Sequence, residues 1–509
     1  MLPINLFLFT RPSVDSIRDL ECYEKHFSCK DASRRLDSRE YITLKRLVEL
    51  LINSGVDVSM LDGFYYSFTI PQIHKEFDLL KIYDDMILNI ELKSEMVDES
   101  RIVKQLLQNR HYLLCQRKSV KQFVFVFGCP NKIYKLDNKQ QLTSSSIVEI
   151  KEALTDEKQL YTGSIENIFR VRDYLVSPLD TPDKFVNGQY FLTDQQEEFK
   201  DQIIKHIQTS CENKKAYFCQ IGGKPGTGKT LLLYDIAKYL SKQYRTCIIH
   251  CAQLSFRHFQ LDKQINNLHL IAVKEFTDGD WLNKNFDAVI VDEAQRIYTN
   301  QLNALISCVK QNNKICIIGC DAGQMLSKSE VERNSPRLIA DIPDIEKYTL
   351  SNRIRTNQEL SDFIKILLDN QEGGERSITK KFPNVTVVYA DDFEETKKII
   401  GYFIRENYTH ISFTKSLYNK DGLIYHIPEN TNTHEAIGHE YDNVLMVLTN
   451  DFQYNEKGRL TAKEHPNPDY LFPKLFYQGI TRAREKLALI VVQNMPLFLQ
   501  ITKIFNMEK

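Results

Sequence analysis

The chain has 509 residues, 42% of them apolar and 26% charged, and a formal net charge of −1. These values are typical of a soluble protein with about three domains, and they exclude nucleic-acid binding through a global positive field, which leaves only local basic surface. No apolar run approaches the ~18 residues that span a bilayer. The 11 cysteines form no C-x-x-C pair, so we expect a cytoplasmic protein without a membrane segment.

The first 150 residues are predicted to form a compact α/β unit. An amphipathic helix is expected over 38–53, because its apolar residues recur at helical spacing. Strand-like runs follow at 64–70, 76–82 and 86–92, and after them come a helix at about 100–115 and a strand at 122–127.

Charged residues interrupt two of these strand-like runs. Strand alternation places Glu91 and Lys93 on one face and turns Leu92 toward the core. Asp78, on the neighbouring strand, can face them. Two carboxylates and a backbone carbonyl can hold Mg²⁺, and an adjacent lysine can polarise a water molecule, which is the chemistry of phosphodiester hydrolysis. The alternative is a solvated edge strand, but the apolar neighbours of Glu91 favour a buried strand.

The order of elements and the D…E-x-K pattern resemble the PD-(D/E)xK nuclease superfamily, the fold of many restriction enzymes. This resemblance implies that Gln105, on the following helix, completes the site with Asp78, Glu91 and Lys93. Asp78 and Glu91 would then be the ligands of one or two Mg²⁺ ions. Glu40 and Glu49 on the first helix are candidates for a further acidic residue of the site. The simpler interpretation is that both are ordinary exposed helix glutamates. Residues 151–187 are predicted to be a connector, and their sequence indicates no role.

The stretch 223–230 fits the phosphate-binding pattern G-x-x-x-x-G-K-[ST] at every fixed position. It lies between an apolar strand at 216–221 and residues with helical periodicity, so its backbone N–H groups and the helix dipole would favour a phosphate. Lys229 would reach the β- and γ-phosphates, and the Thr230 hydroxyl would bind Mg²⁺. The predicted ATP-binding loop comprises Gly223, Lys224, Pro225, Gly226, Thr227, Gly228, Lys229 and Thr230.

A second nucleotide signature is an apolar strand that ends in Asp292-Glu293. Asp292 would hold Mg²⁺, and Glu293 would act as a general base beside the γ-phosphate.

Further candidates follow later in the chain. The next β-strand ends before Gln324, which could contact both the γ-phosphate and a bound nucleic-acid strand. An arginine opposite the γ-phosphate would stabilise transition-state charge. Arg353 and Arg355 are the candidates, and the spacing found in the helicase family that the chain resembles, described next, favours Arg355 over Arg353.

The motifs between Leu192 and Val492 occur in the order found in superfamily 1 helicases, which they resemble. The resemblance implies that Gln196 reads the adenine edge, that Gly438 and Glu440 face the nucleotide, and that Arg482 is the second γ-phosphate arginine. Asp292-Glu293-Ala294-Gln295-Arg296 and the segment 353–357 resemble the Schlafen-type group of these helicases. Bacterial members of that group are often joined to an N-terminal nuclease, and some such fusions act in anti-phage immunity.

The expected fold is therefore α/β, with a restriction-endonuclease-like domain at 1–150, the connector at 151–187, and two RecA-like P-loop lobes at 188–345 and 346–509. The expected function is an ATP-dependent nucleic-acid motor fused to a Mg²⁺-dependent nuclease that degrades foreign DNA. DNA is favoured over RNA as the partner. The alternatives are an ATP-gated switch or clamp whose N-terminal domain only binds, and a nuclease directed at RNA. A homo-oligomer or a partner protein from a defence system stays open.

Overall fold

The structure is a computed structural model that describes residues 1–11, 25–26, 38–70, 75–128, 130–154, 159–169, 174, 176–252, 254, 256–276, 285–351, 358–370, 382–414, 431–463 and 469–506. The chain divides into two compact units, Met1–Tyr174 and Leu175–Lys509. Among the helices in these ranges, none combines the length and the apolar character that crossing a bilayer requires.

The first unit is built on a six-stranded sheet whose strands follow one another in chain order. The strands are β1 (Phe64–Ile70), β2 (Lys75–Ile82), β3 (Met86–Lys93), β4 (Ser119–Val126), β5 (Lys132–Leu136) and β6 (Leu142–Ser145). The predictions for β1 to β4 are confirmed to within a few residues. Strands β5 and β6 were not predicted, because their short, mixed-polarity sequences lack a clear alternation.

Helices cover both faces of this sheet. They are α1 (Leu6–Phe9), α2 (Ser38–Asn53), α3 (Glu99–Leu114), α4 (Ile147–Ala153) and α5 (Ile165–Ile168). The apolar side of α2 shares one core with Leu88, Ile90 and Leu92 of β3. Helix α3 is the crossover between the parallel strands β3 and β4, and it packs on the other face through Ile102 and Leu106. The predicted orientation of Leu92 toward the core is therefore confirmed.

The second unit contains two parallel sheets. The strands of the first are β7 (Tyr217–Gly223), β8 (Thr246–His250), β9 (Leu268–Ala272), β10 (Ala288–Asp292), β11 (Ile315–Cys320) and β12 (Glu346–Leu350), in the spatial order β12-β7-β11-β10-β8-β9. Its helices are α6 (Pro182–Val186), α7 (Asp194–Glu212), α8 (Lys229–Leu240), α9 (Phe256–Gln264), α10 (Thr299–Gln311), α11 (Lys328–Arg333) and α12 (Ser335–Ala340).

The strand order explains where chemistry can occur in this lobe. Strands β7, β11 and β10 are parallel neighbours in that order, and every residue of β10 and β11 is buried. Their carboxyl ends therefore meet at one edge of the sheet, the usual place for ligands in an open parallel sheet. Strand β12 pairs with β7, so this lobe extends to Leu350 rather than ending at 345.

The second sheet has the order β13-β19-β16-β14-β15. Its strands are β13 (Val385–Ala390), β14 (Thr409–Ser412), β15 (Thr431–Asn432), β16 (Tyr441–Leu448) and β19 (Ala483–Val492), and a separate hairpin is formed by β17 (Phe452–Tyr454) and β18 (Leu460–Ala462). The helices are α13 (Gln358–Leu368), α14 (Phe393–Arg405), α15 (Phe472–Ile480) and α16 (Met495–Thr502). The central β16 and β19 are rich in fully buried aliphatic residues, which is typical of a parallel sheet covered on both faces.

The predicted connector is shared between the units. Its first part, up to Tyr174, belongs to the first unit, and the rest belongs to the second. There, Leu179 and Phe185 join the core of the first lobe. A periodicity argument does not find these residues, because Leu179 lies in a turn and Phe185 in the five-residue helix α6, which is too short to show a helical repeat.

Candidate nucleotide site and acidic cluster

The glycine loop joins β7 to α8 and has no room for a side chain at Gly223. Gly223 has φ +151°, and a Cβ atom built there would lie 2.7 Å from Thr227 Oγ1 and 3.0 Å from the Leu350 carbonyl oxygen. Gly226 and Gly228 also have positive φ values, +77° and +81°. A loop of this shape leaves backbone N–H groups free to face an anion at the start of α8.

Lys229, the first residue of α8, is turned onto the loop. Its Nζ donates hydrogen bonds to the carbonyl oxygens of Gly223 (2.7 Å) and Lys224 (3.1 Å). The same Nζ lies 3.3 Å from Oδ2 of Asp321, at the end of β11. The ammonium group is therefore held at the carboxyl edge of the sheet, where a triphosphate can replace these oxygens.

Thr230 and Asp292 meet at the same edge. The Thr230 hydroxyl donates to Oδ2 of Asp292 over 3.4 Å, although the two residues are 62 positions apart in the chain. A hydroxyl oxygen and a carboxylate oxygen are hard ligands of the kind that Mg²⁺ takes beside nucleotide phosphates. The two side chains fit the predicted metal position.

Glu293 lies directly after β10 in a left-handed backbone conformation, with φ +57°. Non-glycine residues rarely adopt this conformation, and such strain concentrates at functional sites. The Gln295 amide donates to Glu293 Oε2 over 2.6 Å. Burial acts to raise the pKa of Glu293, but the positive charges of Arg296, Lys229 and Arg482 outweigh it and hold the pKa below its ordinary value. These charges favour the ionised form of the Glu293 carboxylate.

A chain of polar contacts connects the first lobe to the second. Asp321 Oδ2 accepts from Gln324 Nε2 over 2.9 Å, and Gln324 Oε1 accepts from Arg482 Nη2 over 3.3 Å. Because Asp321 also pairs with Lys229, four side chains in series run from the glycine loop to the amino end of β19. Gln324 is 3% exposed and Arg482 7%, so this chain is shielded from water.

Gln196 is buried beside the loop rather than facing solvent. It caps α7 together with Thr193, and its Nε2 lies within hydrogen-bonding distance of the carbonyl oxygens of Thr227 (3.3 Å) and Gly228 (3.4 Å). In this structure the amide therefore supports the loop backbone, whereas the family resemblance implies contact with adenine.

The remaining predicted residues of the second lobe lie before β16. Gly438 has φ +78°, and an added Cβ atom would lie 3.1 Å from Leu179 and 3.8 Å from the His250 ring. Glu440 Oε2 accepts from Arg484 Nε over 3.0 Å. Arg484 also faces Asp180, and Asp180 in turn bonds His439 over 2.9 Å. Glu440 thus belongs to an ion cluster within the second unit that also contains Asp180, His439 and Arg484. The predicted arginine Arg355 and its alternative Arg353 lie outside the described residues.

The acidic cluster of the first unit is centred on Glu91, which is fully buried. Its Oε1 accepts from the Nδ2 atoms of Asn89 (3.0 Å) and Asn109 (2.7 Å). Its Oε2 accepts from Gln105 on α3. The predicted contact between Gln105 and the strand acid is therefore present, and two asparagines that were not predicted join it.

Asp78 lies one step beyond the paired residues Leu79 and Ile90 of β2 and β3. Its Oδ2 accepts the Leu92 backbone N–H over 2.7 Å. Burial, followed by the nearby charge of Asp78, raises the pKa of Glu91 to about 8, and Lys93 partly opposes this rise. The two carboxylates lie on neighbouring strands, Asp78 on β2 and Glu91 on β3, and Lys75 and Lys93 are the positive charges that act on Glu91.

Several residues of both sites were missed by sequence reasoning. These are Asp321 and Gln295 in the second unit, and Asn89 and Asn109 in the first. Asp321 follows a buried strand as Asp292 does, which is a usable signal. Asn109 lies one helical turn after Gln105, on the same face of α3, and that spacing could also have identified it.

Comparison with known proteins finds one family in the middle of the chain. Residues 216–408 match the family model described as Schlafen group 3, DNA/RNA helicase domain. The match covers less than half of the chain. It includes the glycine loop, the acidic pair and Gln324, and it excludes the first unit and Arg482. No curated protein matches the chain.

Among solved structures, the chain is similar to the PRRSV helicase, with 12% identity, a TM-score of 0.32, and coverage of 56% of this chain and 55% of that one. It is similar to an arterivirus nonstructural protein 10 helicase at 14% identity and a TM-score of 0.32, covering 56% of this chain and 61% of the other. It is also similar to the Pif1 helicase from Candida albicans, with 11% identity, a TM-score of 0.31, and coverage of 62% and 100%. The chain thus spans little more than half the length of the viral helicases. The family match, with the phosphate loop and the acidic pair at one sheet edge, supports a superfamily 1 helicase domain in this part of the chain.

Proposed function

We propose that the second unit is an ATP-hydrolysing motor that moves along nucleic acid. The observation that carries the proposal is the polar chain from Lys229 through Asp321 and Gln324 to Arg482, because it links the phosphate loop of one lobe to an arginine of the other. A triphosphate that displaces Asp321 from Lys229 changes the contacts of every residue in this chain. Nucleotide state can therefore alter the relation of the two lobes, as a stepping motor requires.

In the proposed reaction, water attacks the γ-phosphorus of ATP, and the bond to the β-phosphate oxygen breaks. Glu293 orients the water and accepts its proton, and Lys229 and Arg482 bind the developing negative charge. Thr230 and Asp292 would hold the Mg²⁺ ion, which supplies charge neutralisation for the phosphates. Arg355, by its resemblance to the family, would contribute a second arginine.

We further propose that the first unit is a Mg²⁺-dependent nuclease. The support is the convergence of Asp78 from the middle of β2, Glu91 from near the carboxyl end of β3 and Gln105 from the middle of α3, with Lys93 two residues beyond Glu91. Asp78 and Glu91 would hold the metal, which would supply activation of a water molecule that Lys93 would position. Attack of this water on phosphorus would break the P–O bond to one sugar oxygen, which would leave with a proton taken from solvent. The resemblance to bacterial Schlafen-type fusions suggests foreign DNA as the substrate, and RNA is the alternative substrate.

The two activities are tested most directly in parallel. ATP hydrolysis and cleavage would be measured on single- and double-stranded DNA and RNA, with and without Mg²⁺. We expect nucleic acid to stimulate hydrolysis, and binding to weaken steeply with salt because phosphate contacts release counterions. If no nucleic acid stimulates hydrolysis, the unit is an ATP-dependent switch rather than a motor.

The link between the lobes gives a further prediction. Gln324→Ala removes the amide between Asp321 and Arg482, so we expect kcat for ATP hydrolysis to fall about 10-fold, the effect of one hydrogen bond to a charged group. Nucleotide affinity should change little, because Gln324 does not contact the glycine loop in the described structure. Steady-state kinetics with equilibrium nucleotide binding separates the two quantities. Gln202→Ala, at an exposed position on α7, is the matched control, and equal effects of the two variants would contradict the prediction.

A further inference from the structure

The proposed reaction leaves the burial of the Arg296 side chain unexplained. Arg296 ends the short turn that begins after Glu293, and its backbone N–H bonds the Glu293 carbonyl over 3.2 Å. Only 7% of the residue is exposed. Within the described part of the chain, its Nε and Nη2 atoms are buried and have no hydrogen-bond acceptor.

The groups around Arg296 already have other partners. The Glu293 carboxylate accepts from Gln295 over 2.6 Å. His434, from the second lobe, has its Nδ1 bonded to the Thr414 hydroxyl at 2.8 Å, and its ring packs edge-on against Tyr470, with ring centroids 5.0 Å apart. Two of the three guanidinium nitrogen atoms, Nε and Nη2, therefore have no acceptor within the described part of the chain.

The chain path places Arg296 at the edge of the sheet that carries the glycine loop. Arg296 follows Glu293 by three residues, in the turn just after the carboxyl end of β10, and β7 and β11 end at the same edge. On the side of the second lobe, burial and then the positive charge of Arg296 lower the pKa of His434 to about 4. Arg296 therefore lies beside the place where the ATP phosphates are proposed to bind.

We propose that Arg296 binds a phosphate oxyanion in this cleft. An arginine fork matches phosphate geometry with two parallel hydrogen bonds, and Nε and Nη2 are two donors that can form such a pair. A buried guanidinium without a partner is costly, and a bound oxyanion removes that cost. The oxyanion comes either from the γ-phosphate of ATP or from the backbone of a bound nucleic-acid strand. This inference rests on the proposed motor function.

The test uses the full chain with Arg296→Gln and Arg296→Met. Arg333→Gln is the matched control, because the Arg333 guanidinium lies over the exposed Tyr298 ring, 4.2 Å from its centroid. The first measurement is the affinity for ADP with and without aluminium fluoride, which imitates the transferring phosphoryl group. The second is the affinity for oligodeoxythymidylate and oligouridylate at several salt concentrations.

Two results support the proposal and distinguish the sources of phosphate. If Arg296 binds the γ-phosphate, its variants bind ADP with aluminium fluoride about 10- to 100-fold more weakly than wild type does. Their affinity for ADP alone is then unchanged. If it binds the nucleic-acid backbone, its variants weaken oligonucleotide binding to both probes, and the slope of log affinity against log salt falls by about 1.

Two other results overturn it. If wild-type protein binds both probes and hydrolyses ATP, but the Arg296 variants match Arg333→Gln in both assays, the Arg296 proposal alone is wrong. If wild-type protein neither hydrolyses ATP nor binds either oligonucleotide, the motor function fails and this inference fails with it.

Discussion

Lys229→Ala is expected to abolish ATP hydrolysis, with a loss of roughly 10³-fold or more in rate. The Nζ atom of Lys229 is held by two loop carbonyls and lies 3.3 Å from Asp321, so the structure positions its charge where the β- and γ-phosphates are proposed to bind. Alanine removes both the charge and the donor. Hydrolysis is measured by phosphate release, and binding by titration with a fluorescent ATP analogue.

A second variant separates binding from chemistry. Glu293→Gln keeps the shape of the side chain but cannot accept a proton, so we expect normal ATP binding with hydrolysis lowered by about 10²- to 10⁴-fold.

Lys242→Ala is the matched control for Lys229→Ala, because Lys242 is exposed just beyond the far end of α8. Hydrolysis by Lys229→Ala at the rate of this control would show that the glycine loop is not the hydrolytic site.

Glu91→Gln is expected to abolish cleavage and at the same time to stabilise the first unit at alkaline pH. The wild-type carboxylate is fully buried close to Asp78, which raises its pKa to about 8. Glutamine has nearly the same shape, and the Gln105 amide can rotate to pair with it. The substitution removes the buried charge and its repulsion by Asp78, but it also removes a metal ligand.

The pH dependence has a definite sign. Because the pKa of Glu91 is raised on folding, the native state holds more protons than the unfolded chain between the ordinary value of 4.5 and about 8. Its contribution to the free energy of unfolding therefore falls as pH rises through this window and levels off above it. The stability gain of Glu91→Gln over wild type should be near zero at pH 4.5 and largest above pH 8.

Thermal unfolding across this pH range, with Glu95→Gln as the control at an exposed position, measures the effect. Cleavage assays with Mg²⁺ would be run on the same preparations. The rate of ATP hydrolysis should be unchanged in Glu91→Gln and in Glu95→Gln. Lys93→Ala should also lose cleavage while keeping ATP hydrolysis. Mg²⁺-dependent cleavage that persists in Glu91→Gln would refute the nuclease assignment.

Much of the second unit could be predicted from local sequence. The glycine loop, the strand that ends in Asp292-Glu293, and the helix after the loop are recognisable because the phosphate chemistry needs specific residues at short, set spacings. The match to a Schlafen-type helicase domain over 216–408 is in accord with that part of the prediction. In the first unit, alternation alone indicated that Leu92 and Glu91 face opposite sides of the sheet.

Other features depend on contacts between distant segments, which no local pattern contains. Lys229 meets Asp321, 92 positions away, only because β7 and β11 are neighbours in the sheet. Arg482 meets Gln324, 158 positions away, because the two lobes close on each other. The pairing of Glu440 with Arg484 likewise follows from the order β19-β16.

The sequence by itself thus determined which residue types can bind a triphosphate and a divalent metal, because each motif is a local arrangement of donors and ligands. The tertiary structure alone decided how those residues are charged and held. Glu91 is buried among Asn89, Asn109 and Gln105 because α3 covers that face of β3, and burial beside Asp78 is what raises its pKa. In the same way, only strand order and lobe packing join Lys229 to Arg482, since hydrogen bonds require proximity in space rather than in sequence.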